Sequence, residues 1–241
     1  IDAIRNIDRK VLEYSPSAGY RSYREKLVGY YDKFNIKLTA DDIIITSGGS
    51  EAVLFSFLAC LNPGDEIIVP EPAYANYMAF AISAGAKIRT IATTIEEGFS
   101  LPKVEKFEEL INERTRAILI CNPNNPTGAV IEKVYLKDLI EHNPQVCFVI
   151  DQSYEFFTLQ PLFSPVEAAH FSNVLLLHSM TKRYAVPGLR LGYITAHEGL
   201  LSRLRTHRMP WSVNQLAIEA GLYLLEYDVP NPLNISAYLQ E

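Results

Sequence analysis

The stretch "NVLLLHSMTKRYAVPGLRLGYIT", residues 173–195, contains two apolar runs separated by a polar, turn-forming segment. The runs are short and bounded by polar residues, so they predict two buried strands. The Val-Pro-Gly step predicts a turn that brings Arg190 back beside Lys182. A lysine beside an apolar strand end either extends to solvent or serves as a nucleophile. Ser179 and Arg190 suit an anion with three oxygens, such as phosphate.

The same alternation of apolar runs extends outward from this stretch through most of the chain. Short runs rich in β-branched residues alternate with segments that have helical apolar spacing. The further predicted strands lie in "DIIITSGG", "DEIIVPEP", "AKIRTIATTI", "RAILICNPNNPTG" and "VCFVIDQSY". This order predicts an α/β domain with a mostly parallel sheet. We find no internal repeat and no flexible linker, so the sequence predicts one large domain.

Polar or turn-prone segments follow five of the predicted strands. Ligands of such sheets bind at the carboxyl ends of the strands. The segments are "TSGGSE" (46–51), "PEPAY" (70–74), "CNPNNPTG" (121–128), "DQSY" (151–154) and "HSMTK" (178–182). We therefore expect the functional site at this edge of the sheet.

Two of these segments have a backbone suited to ligand contact. Gly48 and Gly49 stand where a strand passes into a helix, so the backbone can approach an anion and the helix can offer free N–H groups. Alone, this pattern more often indicates a turn and helix cap, and it is neither a Walker A loop nor GxGxxG. The two Asn-Pro steps at 122–126 predict a rigid segment that directs the amide of Asn125 towards a bound group.

Asp151 is predicted to lie at the end of a strongly apolar strand. A carboxylate there is costly to bury unless it meets a cation or a strong donor, although it could instead cap the next segment. Tyr154 follows three residues later and can reach the same pocket. A nucleophilic amine, a phosphate cradle, a buried carboxylate and an aromatic face are what pyridoxal 5′-phosphate (PLP) requires.

Composition excludes other classes of function. The 241 residues carry a formal charge of −6, which argues against a general nucleic-acid binder. No apolar run is long enough to cross a bilayer and no signal peptide begins the chain, so we expect a cytoplasmic protein without a membrane partner. The three cysteines are expected to be buried free thiols. The five histidines lack metal-ligand spacing, so no metal site is expected.

The ordered motifs "TSGGSEA", "PEPAYANY", "NPNNPTG", "DQSY" and "SMTKRYAVPGLRLGY" closely resemble the PLP-dependent fold-type I, class I/II aminotransferases, over nearly the whole chain. The resemblance implies a large domain with a mostly parallel seven-stranded sheet between helices, and a small domain that is largely missing. The chain begins and ends in helix-like segments. We expect an N-terminal arm-proximal segment at 1–30, a PLP-binding large domain at 31–225, and the start of a truncated C-terminal segment at 226–241.

The resemblance also implies roles for single residues. Lys182 would form the aldimine with PLP and shuttle a proton, and Asp151 would pair with the pyridinium nitrogen. The implied ring contacts are Asn125 and Tyr154 at the ring hydroxyl and Tyr74 stacked on the ring. The implied phosphate ligands are the backbone amides of Gly49, Ser50 and Glu51, with Ser179 and Arg190. Tyr14 would reach the phosphate of the neighbouring subunit, which implies a homodimer with shared active sites.

The implied activity is an aminotransferase that moves an amino group between an amino acid and a 2-oxo acid. Two alternatives stay open. The first half resembles aspartate aminotransferases, whereas 151–157, 179–193 and 209–221 resemble histidinol-phosphate aminotransferase and threonine-phosphate decarboxylase, so decarboxylation of a phosphorylated amino acid is an alternative. The other is a catalytically incomplete PLP-binding domain, because the family's arginine for the substrate carboxylate is expected in the missing part.

Overall fold

The computed structural model describes residues 2–8, 10–17, 19–100, 102–228 and 234–240. Seven strands are formed there: β1 (Ile43–Thr46), β2 (Glu66–Glu71), β3 (Lys87–Ala92), β4 (Thr115–Cys121), β5 (Cys147–Asp151), β6 (Val174–Ser179) and β7 (Gly192–Thr195). The α-helices in these ranges are α1 (Asp2–Arg5), α2 (Arg21–Asp32), α3 (Gly49–Cys60), α4 (Asn76–Ser83), α5 (Val104–Glu108), α6 (Lys133–His142), α7 (Pro165–His170), α8 (Met180–Arg183), α9 (Glu198–His207), α10 (Gln215–Glu226) and α11 (Ile235–Tyr238).

The strands form one sheet in the order β1-β7-β6-β5-β4-β2-β3. β7 runs antiparallel to both of its neighbours, with Ile194 opposite Ile44 on one side and Leu177 on the other. The pairs from β6 through β5, β4 and β2 to β3 are parallel. The structure thus confirms the predicted α/β domain with a mostly parallel seven-stranded sheet.

Apolar packing on both faces of the sheet explains the uninterrupted apolar runs of its central strands. Val149 of β5 belongs to a core cluster on one face, while Phe148 and Ile150 belong to a cluster on the other. A sheet covered on both faces has no solvent-facing side chains along such strands. Burial alone therefore fixes these strands, and their polar residues are confined to the strand ends.

Helices α2 and α10 pack over the β1–β7 end of the sheet. Tyr23 and Leu27 of α2 are fully buried in a cluster with Ile45 and Leu191. α10 comes close because it has glycine at position 221, where an added Cβ would lie 2.6 Å from Leu191 Cδ2. This packing supports the end of β1, from which the loop with Gly48 and Gly49 departs.

The cysteines are free thiols, as predicted. Cys60 and Cys147 lie side by side, with their sulfur atoms 3.1 Å apart. Within the described ranges, no helix combines the length and apolar character needed to cross a bilayer.

Candidate functional site

The carboxyl ends of β5 and β6 and the loops after β1, β2 and β4 surround an open cavity of about 220 Å³. Nine of the eleven predicted site residues line this cavity. They are Gly49, Ser50, Tyr74, Asn125, Asp151, Tyr154, Ser179, Lys182 and Arg190. Segments separated by up to 141 positions in the chain (49 to 190) thus meet where the strand ends predicted them to meet.

One end of the cavity is shaped by the glycines after β1. Gly48 has φ +83°, and a Cβ there would lie 2.5 Å from Nη2 of Arg190. A Cβ on Gly49 would lie 3.0 Å from the hydroxyl of Ser153. Helix α3 begins at Gly49 without a side-chain cap, so its first N–H groups have no intrahelical acceptor. This end combines free N–H groups with a cation, as an anion site requires.

Arg190 supplies that cation from a constrained backbone. It has φ +57°, in the left-handed region, directly after the turn at Pro187–Leu189. Its guanidinium donates to the backbone carbonyls of Pro187 at 3.2 Å and Ser47 at 3.3 Å. Ser179 caps α8 by accepting from the N–H of Thr181 at 3.3 Å. The turn therefore places the guanidinium against the loop of the glycines, and Arg190 and Lys182, which were predicted to lie side by side, line the same cavity.

Lys182 lies on α8, the single helical turn that follows β6. Its Nζ is 5.2 Å from the centre of the Tyr154 ring. Within the described part of the chain, no carboxylate lies within 4.0 Å of the side-chain nitrogens of Lys182 or Arg190. Two cations without a carboxylate partner face one cavity, which favours an anionic ligand that reacts with an amine.

Asp151 lines the same cavity and is only 7% exposed. Its carboxylate accepts from the hydroxyl of Tyr77 at 2.7 Å and from the N–H of Ser153 at 2.9 Å. Burial and the Asp151 charge raise the pKa of Tyr77 well above its ordinary value. They also raise the pKa of the Cys121 thiol to about 12, again with burial as the larger cause. The buried carboxylate has the strong donors that the sequence predicted it needs, and its acidic neighbours stay protonated.

Asn125 and Tyr154 contact each other across the cavity. The Asn125 amide donates to the Tyr154 hydroxyl at 3.3 Å. Asn124 holds the rigid loop, since its side-chain oxygen accepts from both the N–H and the hydroxyl of Thr127. Tyr74 stands edge-on to Tyr77 with the ring centres 5.4 Å apart. The cavity lining thus includes the aromatic pair Tyr74 and Tyr77 and the hydrogen-bonded pair Asn125 and Tyr154.

Two predicted residues lie outside the cavity lining. The Glu51 carboxylate turns away and accepts from the N–H of Ser47 and the hydroxyl of Ser212. Its predicted contact used the backbone amide, which lies in the first turn of α3. Tyr14 is 78% exposed, and its ring lies 4.9 Å from that of Trp211. Tyr14 is therefore on the surface, away from the cavity of its own chain.

Sequence reasoning missed Tyr77 and Ser153, both of which line the cavity. Tyr77 donates directly to Asp151. The sequence pattern that could have indicated Tyr77 is its spacing of three residues from Tyr74, which places both side chains on one side of the start of α4. Ser153 had no signal beyond its place in the segment after β5. His178, next to the site in sequence, is instead buried between Glu155 and Thr195.

Relatives of known sequence match most of the chain. Aspartate aminotransferase of Pyrococcus horikoshii is 34% identical over 212 residues, covering 84% of this chain and 52% of the relative. Histidinol-phosphate aminotransferase 2 of Carboxydothermus hydrogenoformans is 34% identical over 230 residues, covering 93% of this chain and 60% of the relative. The chain thus spans about half to two thirds of the length of the curated relatives it matches.

Solved structures agree on the fold. Aspartate aminotransferase of Thermotoga maritima superposes with a TM-score of 0.84 at 25% identity, covering 99% of this chain and 64% of that one. L-threonine-O-3-phosphate decarboxylase of Porphyromonas gingivalis has a TM-score of 0.80 at 24% identity, with 99% and 66% covered. The sequence model of the family described as "Aminotransferase class I and II" matches residues 1–226. The chain that folds around this cavity therefore belongs to the class I and II aminotransferase family.

Proposed function

We propose that the cavity binds PLP. The observation that carries the proposal is the convergence of Lys182, Arg190 and Asp151 on one cavity. The residues fit the cofactor by their own geometry. A Cβ at Gly48 would fill the space beside the Arg190 guanidinium, and this guanidinium donates to two backbone carbonyls. Asp151, which lines the same cavity, accepts from a hydroxyl and a backbone N–H.

In this proposal each wall of the cavity binds one part of the cofactor. The N–H groups of Gly49, Ser50 and Glu51, with Ser179 and Arg190, bind the phosphate. Asp151 accepts from the ring nitrogen and keeps it protonated. Asn125 and Tyr154 bind the ring hydroxyl, and Tyr74 packs against the ring face.

Bound PLP supplies an electron sink for bonds at the substrate Cα. Lys182 would hold the cofactor through Nζ, and once the substrate amine has displaced it, its free amine would serve as the base for the proton at the substrate Cα. Because Lys182 is free of carboxylate partners in the described part of the chain, its amine is available for both tasks. The reaction that this supports is transfer of an amino group from an amino acid to a 2-oxo acid.

The relatives favour amino transfer over decarboxylation, since the matched proteins near 34% identity are aminotransferases. A screen of amino acids with PLP-loaded protein tests this choice. We expect the visible absorbance of the loaded protein to shift on addition of an amino donor and to return on addition of a 2-oxo acid. Carbon dioxide release without amino transfer would instead establish a decarboxylase, and cofactor binding without any reaction would establish an incomplete site.

We further propose a homodimer in which Tyr14 completes the site of the partner subunit. The support is its position: its ring is exposed, packs on Trp211, and lies outside the cavity of its own chain. Mixing Tyr14→Ala with Lys182→Ala subunits tests the sharing of sites. A mixed dimer contains one site with both residues intact and one site that lacks both. Its activity should therefore be about half that of a wild-type dimer. No recovery in subunits that demonstrably exchange would overturn shared sites.

The domain division is also a proposal. The cavity lining runs from residue 49 to residue 190, which supports a PLP-binding domain at 31–225. The proposed boundary after residue 30 falls inside α2, and the one after 225 falls at the end of α10. Of the proposed C-terminal segment 226–241, the structure describes 226–228 and 234–240.

A further inference from the structure

The residue after the proposed PLP lysine makes a buried ion pair. Arg183 donates through Nε and Nη2 to Oδ1 of Asp228, at 3.1 and 2.8 Å, and through Nη2 to Oδ2 at 2.7 Å. The two side chains are only 6% and 5% exposed. A bidentate pair of this kind fixes orientation as well as distance.

Aromatic groups complete the surroundings of the pair. The Arg183 guanidinium lies over the ring of Phe156, with Cζ 3.7 Å from the ring centre, and 5.8 Å from that of Tyr30. The Tyr184 hydroxyl donates to Oδ1 of Asp228 at 2.6 Å. The nearby Tyr30 and Asp228 hold the pKa of Arg183 above its ordinary value, against the effect of burial. Arg183 therefore stays charged. The ion pair and the aromatic groups around it come from four separate parts of the chain.

These parts surround the short helix that carries Lys182. α8 has four residues and is followed at once by a turn, so its own hydrogen bonds give it little rigidity. Arg183 is the last residue of α8, and Asp228 lies two residues after the end of α10. Phe156 lies two residues after Tyr154, which lines the cavity. The pair therefore ties the lysine helix to the cavity wall and to the segment after α10.

We propose that Arg183 and Asp228 are positioning residues that hold Lys182 in reach of the cofactor aldehyde. The proposal rests on the proposed PLP function and extends it to two residues outside the cavity lining. Removing either partner leaves the other charge buried and unpaired, which strongly favours rearrangement of α8. Ser179 caps α8 and is the proposed phosphate ligand most exposed to its rearrangement. The first turn of α3, Arg190 and Asp151 lie on other elements, so most of the phosphate and ring contacts should persist.

The test compares two forms of the cofactor. PLP uses both the cavity walls and Lys182, whereas pyridoxamine 5′-phosphate (PMP) has an amine in place of the aldehyde and uses the walls alone. In Arg183→Met and Asp228→Asn, we expect the Kd for PLP to rise about tenfold or more, while the Kd for PMP stays within about twofold of wild type. A general loss of structure would weaken both ligands equally. Thermal unfolding of each variant is measured alongside.

Two further variants make the result decisive. Arg183→Lys keeps the charge but loses the bidentate geometry, so its PLP affinity should lie between those of wild type and Arg183→Met, and it carries the test if Arg183→Met does not fold. Arg21→Met removes an exposed pair with Glu25 and should change neither Kd. Unchanged PLP binding in Arg183→Met and Asp228→Asn, or equal loss of PLP and PMP, would overturn the proposal. Wild-type protein that binds neither ligand would instead overturn the proposed function.

Discussion

At the scale of single residues, the site depends on how a carboxyl group is accommodated at the end of an apolar strand. Asp151 ends β5, whose preceding residues are all apolar, and it accepts from one hydroxyl and one backbone N–H. Both contacts use Asp151 as an acceptor. We assign it the role of acceptor for the ring nitrogen of the cofactor.

Asp151→Asn tests that role. The amide has nearly the same shape but no charge, so the cofactor should still bind while the rate of its reaction with an amino donor falls about 100-fold or more. Single-turnover absorbance measurements with a fixed amino donor give this rate.

Tyr77→Phe is the matched control for Asp151→Asn. It removes the donor to Oδ2 but leaves the carboxylate, so a loss of about fivefold is expected from one hydrogen bond near 1 kcal/mol. A wild-type rate in Asp151→Asn, or a larger loss in Tyr77→Phe than in Asp151→Asn, would contradict the assigned role.

At the scale of elements, α2 and α10 pack closely because position 221 of α10 is glycine and has no side chain. A Cβ on Gly221 would lie 2.6 Å from Leu191 Cδ2 and 2.7 Å from Tyr23 Cε2. Tyr23 and Leu191 are buried in the cluster beneath β1 and β7. The close approach of these helices therefore requires glycine, and the packing that it allows supports the end of β1 and the loop of Gly48 and Gly49.

Gly221→Ala should lower the free energy of unfolding by about 1–3 kcal/mol, because the extra methyl overpacks a filled core. Gly29→Ala is the matched control: it also lies in a helix, is exposed, and an added Cβ meets nothing within 4 Å. That variant should be neutral or more stable by up to about 1 kcal/mol, since alanine favours helix. Urea unfolding gives both values, and equal effects at the two positions would refute the packing argument.

Element existence and type were largely predictable from the sequence, but their mutual directions were not. The apolar runs of β5 and β6 are specified by burial on both faces, and the helical apolar spacing of α6 is local as well. α3 is buried on most sides and has no clear apolar stripe. The reversal of β7 depends on which strands it pairs with, and no local pattern records that. The ion pair of Arg183 with Asp228 spans 45 positions and was equally hidden.

The candidate site divides in the same way. Residues at the ends of strands were predictable, because parallel strands bring their ends to one edge of the sheet. Tyr77 lies within a helix and was missed, since only the fold shows that its hydroxyl meets Asp151. For Glu51, the sequence predicted a role for the backbone N–H only. The contact of its side chain with Ser212, more than 150 residues away, could not be predicted from the sequence.

At the scale of the whole molecule, buried tyrosines predict a loss of stability in alkali. Burial raises the pKa of seven tyrosines above the ordinary value of 10.0: Tyr23, Tyr30, Tyr31, Tyr77, Tyr135, Tyr184 and Tyr193. Above about pH 10 the unfolded chain releases protons that the folded chain keeps. The stability is therefore fully present below pH 10 and falls as the pH rises beyond it, by up to about 1.4 kcal/mol per pH unit for each tyrosine.

Urea unfolding between about pH 8 and pH 11 measures this loss. The double variant Tyr31→Phe, Tyr193→Phe removes two of these groups together with the 2.6 Å hydrogen bond that joins them. It should be less stable at neutral pH but lose stability less steeply above pH 10. The same steepness in both proteins would show that these hydroxyls do not stay protonated in the folded state.

The central claim is that Lys182 holds PLP covalently, and reductive trapping tests it most directly. The protein is mixed with PLP, reduced with borohydride and digested, and the mass of each lysine-containing peptide is determined. We predict one stoichiometric phosphopyridoxyl adduct, on Lys182, that is absent from Lys182→Ala protein although that variant still binds PMP. An adduct spread over surface lysines, or one that persists in Lys182→Ala, would contradict the account.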